Sequence, residues 1–192
     1  MTYVLQQLLN GIALGFVYAL IALGYTMVYG VLKLINFAHG DLFTIGAYLG
    51  LTLLTSLGLG GRIGPVAGLV ATALMAAGLV ALIGALLDRV AYRPLRESPR
   101  LSAVVSALGA SIFFQNAVML VYGARYEVYP QGLLPTAAVT VFGVAVPVVR
   151  LLVLSVSLLM MAGLYTFIQR TKVGTAIRAA ALDQGAARLM GI

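Results

Sequence analysis

Apolar residues fill long stretches of this chain, and the charged ones fall between them. Six runs carry no charge at all: 1–32, 42–61, 63–87, 101–124, 128–149 and 151–169. About 20 apolar residues cross a bilayer core as a helix, and spans are therefore predicted near 5–32, 42–60, 64–87, 101–124 and 148–169. The run 128–149 breaks the pattern. Pro130, Pro135 and Pro147 interrupt it, and Val139-Thr140-Val141, Phe142-Gly143 and Val144-Ala145-Val146 read as strand, turn and strand. Strand edges left unpaired in lipid are not tolerated, so 126–147 is expected to be a small extracytoplasmic β-hairpin. The fold class is all-α: a polytopic transmembrane helix bundle with five spans.

Charge gives the orientation. Segment 88–100 holds Arg89, Arg93, Arg96 and Arg100, and segment 170–192 holds Arg170, Lys172, Arg178 and Arg188. Both belong in the cytoplasm by the positive-inside rule. Two cytoplasmic segments need an even number of crossings between them, which 101–124 and 148–169 supply. Three spans before residue 88 put the N-terminus outside, unless 33–41 is a re-entrant break. No Lys or Arg precedes Lys33, so the first segment lacks a signal peptide's basic start and is expected to stay as a membrane helix.

Composition narrows the chemistry. The chain has 192 residues, 62% hydrophobic and 9% charged, with a net charge of +7, and its mean hydropathy is +1.06. A soluble domain carries about 25% charged residues, so a soluble domain is excluded. With the cations confined to loops, nucleic-acid binding is not expected. There is no Cys and one His, His39, so disulfides, thiolate metal sites and multi-histidine sites are ruled out within the chain. Neither Lys33 nor Lys172 follows a glycine, so there is no Walker A loop. No Ser sits in a G-x-S-x-G elbow, and an intramembrane enzyme lacks a credible set of residues.

Small residues at i and i+4 let helices approach in lipid. Such stripes are Gly68-Thr72-Ala76, Ser102-Ser106-Ala110 and, on the first span, Gly11, Gly15, Tyr18, Ala22, Tyr25 and Tyr29. Ordinary packing accounts for them, with the tyrosines as an alternative lining for a path. Two other segments are unusual. Ile35-Asn36-Phe37-Ala38-His39-Gly40-Asp41 concentrates polar groups between apolar runs. The helix should break there and restart near Asp41, either as a solvated interfacial turn or as a break facing a protein-lined cavity. The tail from Arg170 to Ile192 is basic and Ala-rich. Asp183 is placed to cap a second short helix, and Gly191 to end it in a left-handed turn. This tail suits docking into a partner's groove or lying on anionic lipid.

The chain resembles the permease subunits of bacterial ABC importers for branched-chain amino acids, most nearly the first of the two homologous permeases. The resemblance is carried by Gln6-Gln7-Leu8-Leu9-Asn10-Gly11, by Tyr18 through Gly30, and by Ile35-Asn36-Phe37-Ala38-His39-Gly40-Asp41. It continues in Arg89-Val90-Ala91-Tyr92-Arg93-Pro94-Leu95-Arg96, in Ser106 through Phe113 and in the tail from Thr171 to Ile192. Members of that family continue for roughly another third, which makes this chain look like one without its C-terminal part.

The resemblance implies a pore half in the bacterial inner membrane that binds no cofactor of its own. ATP would be bound by two cytoplasmic ATPase subunits. A second homologous permease and a periplasmic substrate-binding protein would complete the machine, with membrane lipid around it and no nucleic acid. Gly174, Arg178, Asp183, Arg188 and Gly191 carry over to the cytoplasmic coupling loop, 170–192. The helix-break argument makes Asn36, His39, Gly40 and Asp41 candidates for the substrate path, together with Tyr25, Tyr29, Ser106 and Asn116. Urea and short-amide importers share much of both motifs, and a non-transporting membrane scaffold is the reading from another class.

Overall fold

The computed structural model describes residues 2–33, 35–95, 98–130, 136–141 and 144–191. Its elements are α1 (Thr2–Leu32), α2 (His39–Leu57), α3 (Leu59–Ile63), α4 (Pro65–Leu87), α5 (Arg100–Tyr122), β1 (Ala138–Val141), β2 (Val144–Pro147), α6 (Val148–Arg170), α7 (Lys172–Leu182) and α8 (Gln184–Leu189). A π turn, Asp88–Tyr92, and a 3-10 turn, Arg93–Leu95, follow α4 directly. Among the described residues, five helices are long and apolar enough to cross a membrane. Their outer faces are apolar too: Leu120 is 84% exposed and Leu159 71%. A soluble protein does not present such a surface along whole helices, whereas lipid requires it. The chain divides into two compact units, Met1–Lys33 with Ala137–Ile192, and Leu34–Thr136.

In the first unit α1 packs beside α6 and runs in the same direction. Arg150, near the start of α6, donates to the Asn10 side chain near the start of α1. At the other end Lys33 stops α1 in the left-handed conformation, φ 54°. Its N–H donates to the Tyr29 carbonyl at 2.8 Å, and its ammonium reaches the Ala181 carbonyl in the last turn of α7 at 2.5 Å. The hairpin forms where the alternation predicts it, with Val139 opposite Val146 and Thr140 opposite Ala145. Its turn, Phe142-Gly143, lies outside the described residues, as do 131–135 of the predicted 126–147 segment. Val146 is buried, and the Val148 N–H donates to Ala137 O at 2.9 Å, which joins the hairpin to the first turn of α6.

In the second unit α2 and α4 run antiparallel. A β-carbon on Gly46 would meet Val80 at 3.3 Å, and one on Gly84 would meet Leu42 at 3.9 Å. The stripe Gly68, Thr72 and Ala76 of α4 is buried, as are Gly50 and Leu54 of α2. This is the close approach that small residues permit in lipid. In α5 the buried ridge is Ala103, Ala107 and Ser111, one position along from the expected Ser102-Ser106-Ala110. Helix α5 runs in the same direction as α2. Ser111 meets Asp41, while further along Tyr122 stacks on Tyr48 with ring centres 4.5 Å apart. The Tyr122 hydroxyl also lies 2.8 Å from Thr52 Oγ1.

That parallel register fixes the depth at which α2 begins. Ser111 is the middle residue of α5, eleven residues or about 16 Å from its first at 1.5 Å per residue. Asp41 is in the first turn of α2. So α2 starts at the half-height of α5, beside helices that continue well past it toward the turn bearing Arg89 and Arg93.

Candidate functional site

The break before α2 is organised by Asn36. Its side-chain oxygen accepts from the Ala38 N–H at 3.1 Å and from the Tyr92 hydroxyl at 2.6 Å. The first bond is an Asx turn, the local alternative to helix that Asn offers. The second ties the broken segment to the π turn after α4. The cap of α2 itself is Ala38, with no side-chain hydrogen bond, so Asn36 turns the chain two residues before the cap. The His39 N–H then donates to Asn36 O at 3.2 Å.

The π turn is held from its other side by Ser106, whose Oγ donates to the Ala91 carbonyl at 3.1 Å. Wider i→i+5 turns of this kind tend to occur where a helix is adapted for function. Here the turn presents Tyr92 to Asn36.

A second cluster starts at Asp41. Its carboxylate accepts from Ser111 Oγ, and the Gln115 amide donates to the same Ser111 oxygen at 3.2 Å. The carboxylate also sits in the first turn of α2, where the helix dipole favours negative charge. Above the cluster, α2, α5 and the segment after α5 enclose a groove of about 360 Å³. The roof is pinned by Tyr129, which donates from its hydroxyl to the Ala47 carbonyl at 2.7 Å. Burial raises the Tyr129 pKa above its ordinary value. Gly50 makes room for this contact, since a β-carbon there would come within 2.9 Å of the Tyr129 oxygen.

The tail builds a different object. Thr171 caps α7, its Oγ1 accepting from the Gly174 N–H at 2.9 Å and donating to Phe167 O at 2.6 Å. Gly174 is buried flat against the end of α6. A β-carbon there would fall 2.2 Å from the Ile168 carbonyl oxygen and 2.5 Å from that of Phe167. Arg178, one turn on, donates to the Ile168 carbonyl, and to Gln169 Oε1 at 3.4 Å and Thr175 Oγ1 at 3.3 Å. A cation here also complements the carbonyl-rich end of α6. Asp183 caps α8 by accepting from the N–H groups of Gly185 and Ala186 at 2.7 and 3.1 Å. Gly191 adopts φ 79° after it. The side chain of Arg188 lies outside the described residues. Val173, Leu182, Leu189 and Met190 are exposed along this tail.

Of the candidates for a path, the second unit gathers Asn36, Asp41 and Ser106 into the two clusters just described. His39 is half-buried, and Gly40 is exposed with open space where a side chain would go. Asn116 turns aside: its amide donates to Ile112 O of its own helix at 2.7 Å. Tyr25 and Tyr29 lie near the end of α1 in the first unit, the former half-buried and the latter 47% exposed. Sequence reasoning missed Gln115, Tyr48 and Arg125 as groove residues, Ser111 as the partner of Asp41, and Tyr92 as the partner of Asn36. The signal for Ser111 was the cost of a lone carboxylate at that depth, which demands a donor.

Five apolar helices, an internal polar break and a folded-back basic tail define a polytopic helical membrane protein. The chain belongs to the family described as "Branched-chain amino acid transport system / permease component", whose profile matches residues 7–192. It is similar to the high-affinity branched-chain amino acid transport system permease protein BraD of Pseudomonas aeruginosa, with 43% identity over 98% of this chain and 62% of that protein. It is likewise similar to the permease protein LivH of the Escherichia coli system of that name, with 41% identity over 99% of this chain and 63% of that protein. A more distant relative is the probable branched-chain amino acid transport permease LivH of Methanocaldococcus jannaschii, at 27% identity over 90% of this chain. The chain thus spans a little under two thirds of the length of the first two relatives. No solved structure matches it.

Proposed function

We propose that this chain is a permease subunit of an ATP-driven importer that carries branched-chain amino acids across the bacterial inner membrane. The observation that carries this reading is the 41–43% identity, along nearly all of this chain, to permeases named for that transport. The chain contributes the pore and no nucleotide site, because no phosphate-binding loop occurs in its sequence. Its partners are a second homologous permease, two cytoplasmic ATPase subunits and an external substrate-binding protein.

Within that machine α7 and α8 are the coupling element, and Gly174, Arg178, Asp183, Arg188 and Gly191 are its working residues. The direction of the helices supports this reading. In one unit α1 and α6 both run toward the end that bears α7, and in the other α4 ends on the arginine segment from which α5 departs. Motion of the ATPases would reach the spans through the α6–α7 corner, where Gly174 and Arg178 leave no slack. Asn36, His39, Gly40 and Asp41, with Tyr25, Tyr29, Ser106 and Asn116, are the proposed substrate path, and Asn116 is the least engaged of them because its amide bonds to its own helix.

The test is uptake by the complete permease reconstituted with its partner subunits and binding protein in liposomes. Leucine accumulation that requires ATP is expected. Urea or short-amide accumulation in place of leucine would move the protein to the sister class of importers, and no ATP-dependent uptake of any of them would favour a scaffold.

A further inference from the structure

We propose that the groove between α2 and α5 is the vestibule through which a zwitterionic substrate reaches the bundle, with Asp41 at its floor as the group that receives the substrate's ammonium. The inference rests on the amino-acid reading above and adds to it a place and a recognition chemistry. Three observations lead to it.

The first is position. Asp41 and Gln115 mark the floor, level with the middle of α5, and Arg125 stands at the mouth just beyond its end. The groove therefore covers the half of α5 that lies away from the turn bearing Arg89 and Arg93. From Asp41 to Tyr48 the wall rises seven residues, about 10 Å at 1.5 Å per residue.

The second is size and lining. Small-molecule sites run from about 300 to 1,000 Å³, so the groove's roughly 360 Å³ suits one amino acid with a few waters rather than a peptide. Thr44 and Tyr48 on α2 and Met119 on α5 supply a mixed polar and apolar wall. An aliphatic side chain has Met119 to lie against, and the polar backbone end has Thr44, Gln115 and Asp41.

The third is charge. An ionised carboxylate accepts about four hydrogen bonds. Among the described residues Asp41 meets one donor, Ser111, and no cation. A carboxylate at this depth is expensive unless something positive comes to it. Arg125 at the mouth is exposed and has no partner among the described residues. The groove thus offers a cation first and an anion below, an order that draws a zwitterion in by its carboxylate and seats it by its ammonium. A neutral amide gains nothing from either charge.

The experiment uses the complete importer in liposomes. Asp41→Asn keeps an oxygen for Ser111 and removes only the charge, so a merely structural Asp41 would tolerate it. Leucine uptake is expected to fall about tenfold or more, the usual size of a lost charge-assisted contact, while Asp41→Glu stays within about threefold. Co-purification with the ATPase subunits should be unchanged in both. Because residues 1–192 contain no Cys, Thr44→Cys gives a single target within them. Its labelling from the binding-protein side should be faster with a cationic than with an anionic thiol reagent, and slowed by leucine-loaded binding protein. Normal leucine uptake by Asp41→Asn, or labelling of Thr44→Cys only from the ATPase side, overturns the vestibule while leaving the importer reading intact. A wild-type complex that carries urea and not leucine overturns the importer reading itself.

Discussion

The groove over Asp41 and the corner at Gly174 are both polar places in an apolar protein, and they are built on opposite plans. Around Asp41 the polar side chains come from different helices and leave a cavity above them. At the corner three groups are bonded locally: Thr171, Gly174 and Arg178 close on the last turn of α6, with no room for a methyl group at Gly174. The first arrangement can change its contents and the second cannot. The proposed transport role would use both, an interior that yields to a solute and a joint that passes on force without bending. The contrast lies in free space and bonding pattern, since polarity alone is similar in the two places.

The sharpest way to break the comparison is to add one carbon at each. Gly174→Ala puts a β-carbon 2.2 Å from the Ile168 oxygen, far inside contact distance, and small-to-large changes in packed sites cost about 1–3 kcal/mol or more. Uptake is expected to fall at least about tenfold with the protein still in the membrane. Gly40→Ala, with nothing within 4 Å, should keep uptake within about twofold. Equal effects would erase the distinction between the two places.

A middle-sized effect is expected at Asn36. Asn36→Ala leaves the Tyr92 hydroxyl and the Ala38 N–H without their acceptor, and each buried unsatisfied group costs about 1–3 kcal/mol. The thermal midpoint of the purified permease should drop by several degrees. Asn36→Asp, which keeps the acceptor, should recover most of the loss. Failure of the Asp variant to do better than Ala would show that Asn36 acts through its NH2 group instead. The smallest effect belongs to Asn116→Ala. That amide bonds only to its own helix at Ile112, so uptake and stability should both stay within about 0.5 kcal/mol of wild type. A larger loss would return Asn116 to the centre of the proposed path.

Much of this was legible in the sequence. Charge-free length located the five long apolar helices, and alternation on either side of Phe142-Gly143 located β1 and β2. Asp183 and Gly191 announced the start and stop of α8, because capping is decided by neighbours in the chain. What could not be read was depth. Periodicity says which residues share a face of α5, but not that Ser111 comes level with Asp41, nor that Tyr92 meets Asn36. The buried stripe of α5 shifted by one residue for the same reason: neighbouring faces of an Ala- and Ser-rich helix are equally small, and only the partner helix chooses between them. Arg178 teaches the complementary point. Its place in the tail was visible, but its bond to the Ile168 carbonyl depends on the chain turning back at Thr171.

The half-height start of α2 has an electrical consequence. A full crossing of the membrane is worth about 2.3 kcal/mol per elementary charge at 100 mV. A charge fixed midway, such as the Asp41 carboxylate, would feel about half of that in a uniform field. Water standing in the groove would carry the outer potential down to Asp41, and nearly the whole voltage would then drop across the remaining half of α5, about 16 Å of it. The field along that half of α5 would be roughly doubled, and it would fall on the turn that Asn36 and Tyr92 tie together.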